Sequence, residues 1–146
     1  NTGHSGRLQV VGLITLIAGV VLAIAGAVTY VVVQQTLADQ KITVSDDANC
    51  AAGDDVNGPI SAFCQADVIN KHALASTGGK TYAQLDREDP NRQTVMTASF
   101  LQASLFTSVV AFGVAAMAVG MGILFALIGW TLMGLAATAK AAAATP

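Results

Sequence analysis

The sequence predicts an all-α fold: a hairpin of two transmembrane helices with a small helical extracytoplasmic loop domain between them. Three observations predict it. Of 146 residues, 53% are hydrophobic and 11% charged, with a mean hydropathy of +0.59, whereas a soluble domain carries about twice that charge. No charged residue occurs from Leu8 to Ala38, and none between Arg92 and Lys140. All nine acidic residues and five of the seven basic ones lie in the segment Gln34 to Ala98. The length holds two spans and one modest domain, which excludes a multidomain enzyme, a large pore or a many-helix transporter acting alone. A net charge of -2 without a basic tract excludes nucleic acid as a partner.

The implied plan is a tail over 1–7, a first span over 8–33, a loop domain over 34–98, a second span with projecting first turns over 99–135, and a tail over 136–146. From Leu8 to Val33 the polar members are Gln9, Thr15, Thr29 and Tyr30, and the run is long enough to cross about 30 Å of hydrocarbon at about 1.5 Å per residue. The rival is a cleaved signal peptide, with Arg7 as its basic flank and Ala25-Gly26-Ala27 as its cleavage site. Such a peptide has an apolar core of only about 7–15 residues. Gly12, Gly19 and Gly26 recur every seven residues, with Ala23 and Ala27 beside them. They form one smooth stripe for close helix packing.

The loop contains both cysteines, Cys50 and Cys64. A disulfide between them closes a fifteen-residue ring, worth about 3 kcal/mol in the chain-entropy model. The segment has only about a dozen large apolar side chains, too few for a core that stands without a staple. Lys41 to Val44 alternates like a short strand. Asn57-Gly58-Pro59 opens a helix, and Ile60, Phe63, Ala66, Ile69, Ala73 and Leu74 give it an apolar face before Gly78-Gly79 ends it. Thr81 to Leu85 reads as one helical turn, and Asp86 to Asp89 as a polar one.

Asp89-Pro90 reads as a helix start, with Asp as N-cap and Pro in the first helical position. A helix from there to about Leu135 would be roughly 69 Å long, about twice what a membrane needs. Its first half, with Gln93, Thr94, Thr97, Ser99, Gln102, Ser104, Thr107 and Ser108, is amphipathic, and Val109 to Trp130 is almost purely apolar. The membrane is expected near Ser108 to Trp130, with Tyr30 and Trp130 as anchors at opposite interfaces. Gly113 and Gly120 are seven apart, as are Gly122 and Gly129, and Ala116 forms a small-xxx-small pair with Gly120. These faces can serve the hairpin or foreign helices. Arg7 and Lys140 on the tails place both termini in the cytoplasm of a multi-pass plasma-membrane protein. The loop then faces an oxidising compartment, in keeping with its cysteines.

No motif supports catalysis or a resident cofactor. Gly79-Lys80-Thr81 resembles the end of a phosphate-binding loop, but Leu74 stands where the first glycine belongs. Asp46, Asp47, Asn49, Asp54, Asp55 and Asn57 are dense, yet no register fits a calcium-binding EF-hand. Only His72 could join the cysteines at zinc, and a zinc site wants more ligands. His4 falls on the other side of the membrane from His72, which itself reads as a surface residue. The absence of charge within both spans argues against a proton or ion path.

The runs Lys41 to Ala48, Ile69 to Tyr82 and Asp89 to Ser108 resemble a family of small actinobacterial membrane proteins with two spans. Its members often carry the label aromatic ring-opening dioxygenase LigA. Such enzymes hold ferrous iron with clustered His and acidic ligands, a pattern foreign to this sequence. The resemblance implies a non-catalytic accessory subunit of a respiratory assembly, the cytochrome bcc:cytochrome c oxidase supercomplex. Other integral membrane subunits and bound lipids would then be the partners. The alternatives are a self-associating envelope protein and a metal-dependent enzyme or sensor built on the loop.

Overall fold

The computed structural model describes residues 2–144, with side chains from His4 onward. Asn1 and the last two residues, which the expected tails include, lie outside the described residues. The described chain is all-helical: α1 (Thr2–Asp39), α2 (Pro59–Ser76), a single 3-10 turn (Tyr82–Gln84) and α3 (Arg92–Ala143). Windows of α1 and α3 have mean hydropathies of 2.6 and 2.3, and both helices are long and apolar enough to cross a membrane.

Both long helices outrun their apolar segments. An apolar run marks what the bilayer accepts, whereas a helix ends only where the backbone is stopped. For α1 the stop is Lys41, in the left-handed region at φ 54, after Gln40 and Lys41 have donated N–H bonds to Leu37 and Ala38. At its far end α3 continues to Ala143 through an alanine-rich stretch of high helix propensity. Its start corrects the sequence reading by two residues. Asp89 Oδ1 accepts the Asn91 N–H at 2.8 Å, and Val95 donates the first helical bond to Asn91 O at 3.0 Å. Asp89 and Pro90 therefore build a turn ahead of the helix, and Asn91 is the capping residue.

The chain divides into two compact units. The first, within Asn1–Tyr30 and Val114–Pro146, pairs the beginning of α1 with the end of α3 in antiparallel fashion. Gly12, Gly19 and Gly26 meet Gly129, Gly122 and Ala115 in that order.

The second unit, Val31–Gly113, is larger than the expected loop because it takes in the adjoining ends of α1 and α3. Its interior holds Leu37, Val44, Val56, Ala62, Ala66, Val68, Leu85, Val95, Leu105 and Phe112. The expected strand is reduced to one antiparallel bridge, Thr43 with Asp55. Around it Val44 donates to Asp54 O at 2.9 Å and Val56 to Ile42 O at 2.8 Å. These bonds bury Val44 and Val56 to 1% exposure. The Cys50–Cys64 disulfide, with a Cα–Cα distance of 5.6 Å, joins this turn to α2.

Gly58 precedes α2, and Ser61 Oγ accepts the N–H groups of Asn57 and Gly58, both at 3.2 Å. At the other end Gly79 N–H reaches back to Leu74 O at 2.7 Å, with Gly78 at φ 64. That is the Schellman closure for which glycine is favoured. The buried face of α2 differs from the one its large residues suggest. Ser61, Ala62, Cys64, Gln65, Ala66 and Val68 point inward, while Ile60 is 72% and Phe63 50% exposed. The disulfide fixes Cys64 inward, and the small residues beside it let the 42–56 turn lie close against the helix.

α2 runs antiparallel to the beginning of α3. Phe63 packs edge-on against Phe106 with ring centroids 5.9 Å apart, and at the opposite end of α2 Asn91 Nδ2 donates to Ser76 O at 3.4 Å. Several helix hydroxyls fold back on their own backbone: Thr97, Ser99, Thr107 and Ser108 each donate to the carbonyl four residues earlier. With so small an interior, the disulfide is expected to supply a large share of the loop's stability. Cys50→Ser should lower that stability by about 3 kcal/mol, read as a lower thermal midpoint that reductant reproduces in the parent protein.

Candidate functional site

The first candidate surface is the stripe of small residues, which the structure divides in two. Gly12, Gly19 and Gly26 of α1 are buried against α3, as are Gly122 and Gly129. A Cβ at Gly19 would lie 2.5 Å from Gly122 O, and one at Gly122 would lie 2.6 Å from Gly19 O. The Gly12–Gly129 pair repeats this reciprocity at 2.8 and 2.5 Å, and a Cβ at Gly26 would meet Ala115 O at 2.7 Å. In each case the glycine Cα–H points at a carbonyl oxygen of the other helix. Such weak hydrogen bonds recur where helices touch backbone to backbone. Every seven-residue step along α1 is matched by one of seven in the opposite direction along α3, the stride of a left-handed supercoil.

Gly113, Ala116 and Gly120 do not join this seam. All three are exposed, and a Cβ at either glycine would meet nothing within 4 Å. Ala115, which meets Gly26, is 2% exposed, and Ala136, one further step of seven beyond Gly129, is 3% exposed. Their signal was present: Ala115, Gly122, Gly129 and Ala136 are four small residues at sevens, whereas Phe106 and Leu127 interrupt the series on either side of Gly113 and Gly120.

Trp130, 68% exposed, adjoins the Gly12–Gly129 contact, and Tyr30 is partly exposed one turn beyond Gly26. The stretch of α1 from Gly12 to Tyr30 rises about 27 Å, close to a hydrocarbon thickness of about 30 Å.

The second surface belongs to the loop unit. His72 Nε2 lies 2.6 Å from Asp47 Oδ2, and Lys71 Nζ lies 4.0 Å from the same oxygen. His72 is exposed, as its sequence suggested, yet it ties α2 to the acidic turn. Its hydrogen bond holds the Asp47 carboxyl below the ordinary carboxylate range, assisted by the charges of His72 and Lys71. Gln65 Oε1 accepts the Ser45 N–H at 3.0 Å, so the buried amide of α2 holds the same turn from within. At the foot of α3, Arg92 donates to Leu85 O at 2.6 Å and stacks 4.2 Å over the Tyr82 ring. Sequence reasoning missed Arg92 and the His72 clip, since neither is marked by periodicity. Among the described residues no group of three or more His, Cys, Asp or Glu side chains could hold a metal ion. A cleft of about 560 Å³ opens beside α2, lined by residues that include Val32, Leu37, Ile42, Ile69, Leu101 and Leu105.

No family model, curated protein or solved structure matches this chain.

Two outcomes follow from the geometry of these surfaces. Gly122→Val should separate the hairpin or shift its helices at a cost of at least about 1–3 kcal/mol, because backbone atoms of α1 occupy the space. Gly120→Val should leave hairpin stability unchanged, and thermal unfolding in detergent distinguishes the two. The Asp47 clip is stabilising above the ordinary carboxylate pKa and is lost as pH falls through the lowered value of the folded state. Asp47→Asn is therefore expected to reduce the thermal midpoint at neutral pH, and the gap to the parent should close once the carboxyl of the parent is protonated.

Proposed function

We propose that this chain is a two-span plasma-membrane protein that acts without catalysis, as an accessory or assembly subunit of a larger membrane complex. The observation that carries this reading is the apolar surface that the hairpin leaves uncovered. Only 17% of the most apolar window of each long helix is buried, whereas the core helix of a soluble protein is mostly enclosed. Val10, Ile14, Val21 and Ile24 on α1, with Met117, Leu124 and Leu127 on α3, are all exposed, from Leu127 at 49% to Ile14 at 62%. So much contiguous apolar surface calls for lipid or for other helices. In the orientation we propose, both termini are cytoplasmic, following Arg7 and Lys140, and the loop unit is extracytoplasmic, where its disulfide persists.

The partner helices we propose are those of the actinobacterial cytochrome bcc:cytochrome c oxidase supercomplex, in line with the resemblance of the loop and of the start of α3 to a family of small actinobacterial membrane proteins. Ala116 and Gly120 offer a partner a shallow place of close approach that the hairpin does not use. The same exposed pair favours a second reading, a self-associating envelope protein.

An affinity pull-down of the tagged chain from native membranes in mild detergent, with mass spectrometry and a visible spectrum, decides between them. Cytochromes retained in fixed ratio are expected for the accessory subunit, whereas recovery of this chain alone and without haem selects the homo-oligomer. Gly120→Leu should reduce that retention while leaving the loop folded, and unchanged recovery would count against this face.

A further inference from the structure

We propose that the first turn of α2 is a membrane-contact edge, with Ile60 and Phe63 seated in the outer-leaflet interface. This inference rests on the two-span reading above. Its ground is the direction of α2 along α3. Phe63 packs on Phe106, Ile69 and Leu101 line one cleft, and Ser76 is bonded to Asn91. α2 thus begins beside Phe106 and runs toward the foot of α3.

Phe106 lies three residues before the uninterrupted apolar run that starts at Val109, a rise of about 4.5 Å. The end of the apolar run on α1 reaches the same level, because Val33 and Ser108 line the same cleft. The first turn of α2 is therefore the part of this helix nearest the hydrocarbon. Its outward residues are the two large apolar side chains that α2 fails to bury, Ile60 at 72% and Phe63 at 50% exposure. In water these would be a liability, and at a bilayer surface they are anchors of the kind that interfacial helices use.

The chemistry also limits the depth. Asp67, exposed and one turn beyond Phe63 on the same side of α2, stands about 6 Å farther along the axis, a position for water and headgroups. With Asp54 and Asp55 also exposed nearby in sequence, the occupant is the hydrocarbon border of a zwitterionic bilayer and not a patch of anionic headgroups.

The test uses the full chain in phosphatidylcholine vesicles doped with phosphatidylcholines brominated at graded acyl depths. Trp130 is the single tryptophan, so Ile60→Trp, Phe63→Trp and Ser76→Trp are each prepared with Trp130→Phe. The edge predicts that Ile60→Trp and Phe63→Trp emit to the blue of Ser76→Trp and lose intensity to the shallow bromines, while Ser76→Trp loses none. Ile60→Trp provides a reporter at a site more exposed than Phe63, should Phe63→Trp disturb the ring contact. If both behave like Ser76→Trp while Trp130 of the parent is quenched, the edge is overturned and the spans stand. If Trp130 is also unquenched, the membrane reading falls and takes the edge with it.

Discussion

Gly19 and Gly122 present bare backbone to each other, and the first unit is built around that contact. The opposing carbonyls occupy the space of any Cβ, so α1 and α3 approach more closely than helices with side chains between them can. The contact is repeated at Gly12 with Gly129 and at Gly26 with Ala115, which sets an antiparallel register. Close approach uses little of each helix's circumference. What remains on both is a broad surface of valine, isoleucine, leucine and methionine, and the membrane setting is proposed from this surplus.

The loop unit solves a different problem, that of ordering a segment with little to bury. Val44, Val56 and Val68 make a small interior, and directed contacts do much of what a larger core would. The disulfide and the Gln65 bond to Ser45 hold the 42–56 turn to α2, with the His72 clip on its outer side. Arg92 holds the 3-10 turn to the start of α3 by a carbonyl bond and a stacked ring. Each of these contacts fixes an irregular segment to a helix, so the order of the turns derives from the regular elements beside them.

The helical architecture was legible because its signals are long: two uncharged runs, a Gly-Pro start and a Gly-Gly stop. The helix ends were less so, since the sequence shows where apolar residues cease and not where Lys41 turns the chain. Among the glycines, spacing by seven identified the candidates. Apportioning Gly113 and Gly120 outward and Gly122 and Gly129 inward required following the stride to Ala115 and Ala136. The inward face of α2 was misread for a physical reason: size suggested that Ile60 and Phe63 are core residues, whereas Cys64 turns small side chains inward. The clips made by His72 and Arg92 depend on segments brought together by folding, which no local pattern records.

The hydroxyls of α3 bear on how the helix would sit in a bilayer. Thr107 and Ser108 donate to the carbonyls of Ala103 and Ser104, and Thr131 to that of Ile128, so near both ends of the apolar run the hydroxyl donors are already satisfied. Burying such a group in hydrocarbon costs far less than burying an unsatisfied one. A membrane boundary placed at Ser108 could therefore shift by a residue or two without stranding a donor. The helix can then meet bilayers of somewhat different thickness by letting a residue or two at each boundary enter or leave the hydrocarbon, and need not tilt to do so.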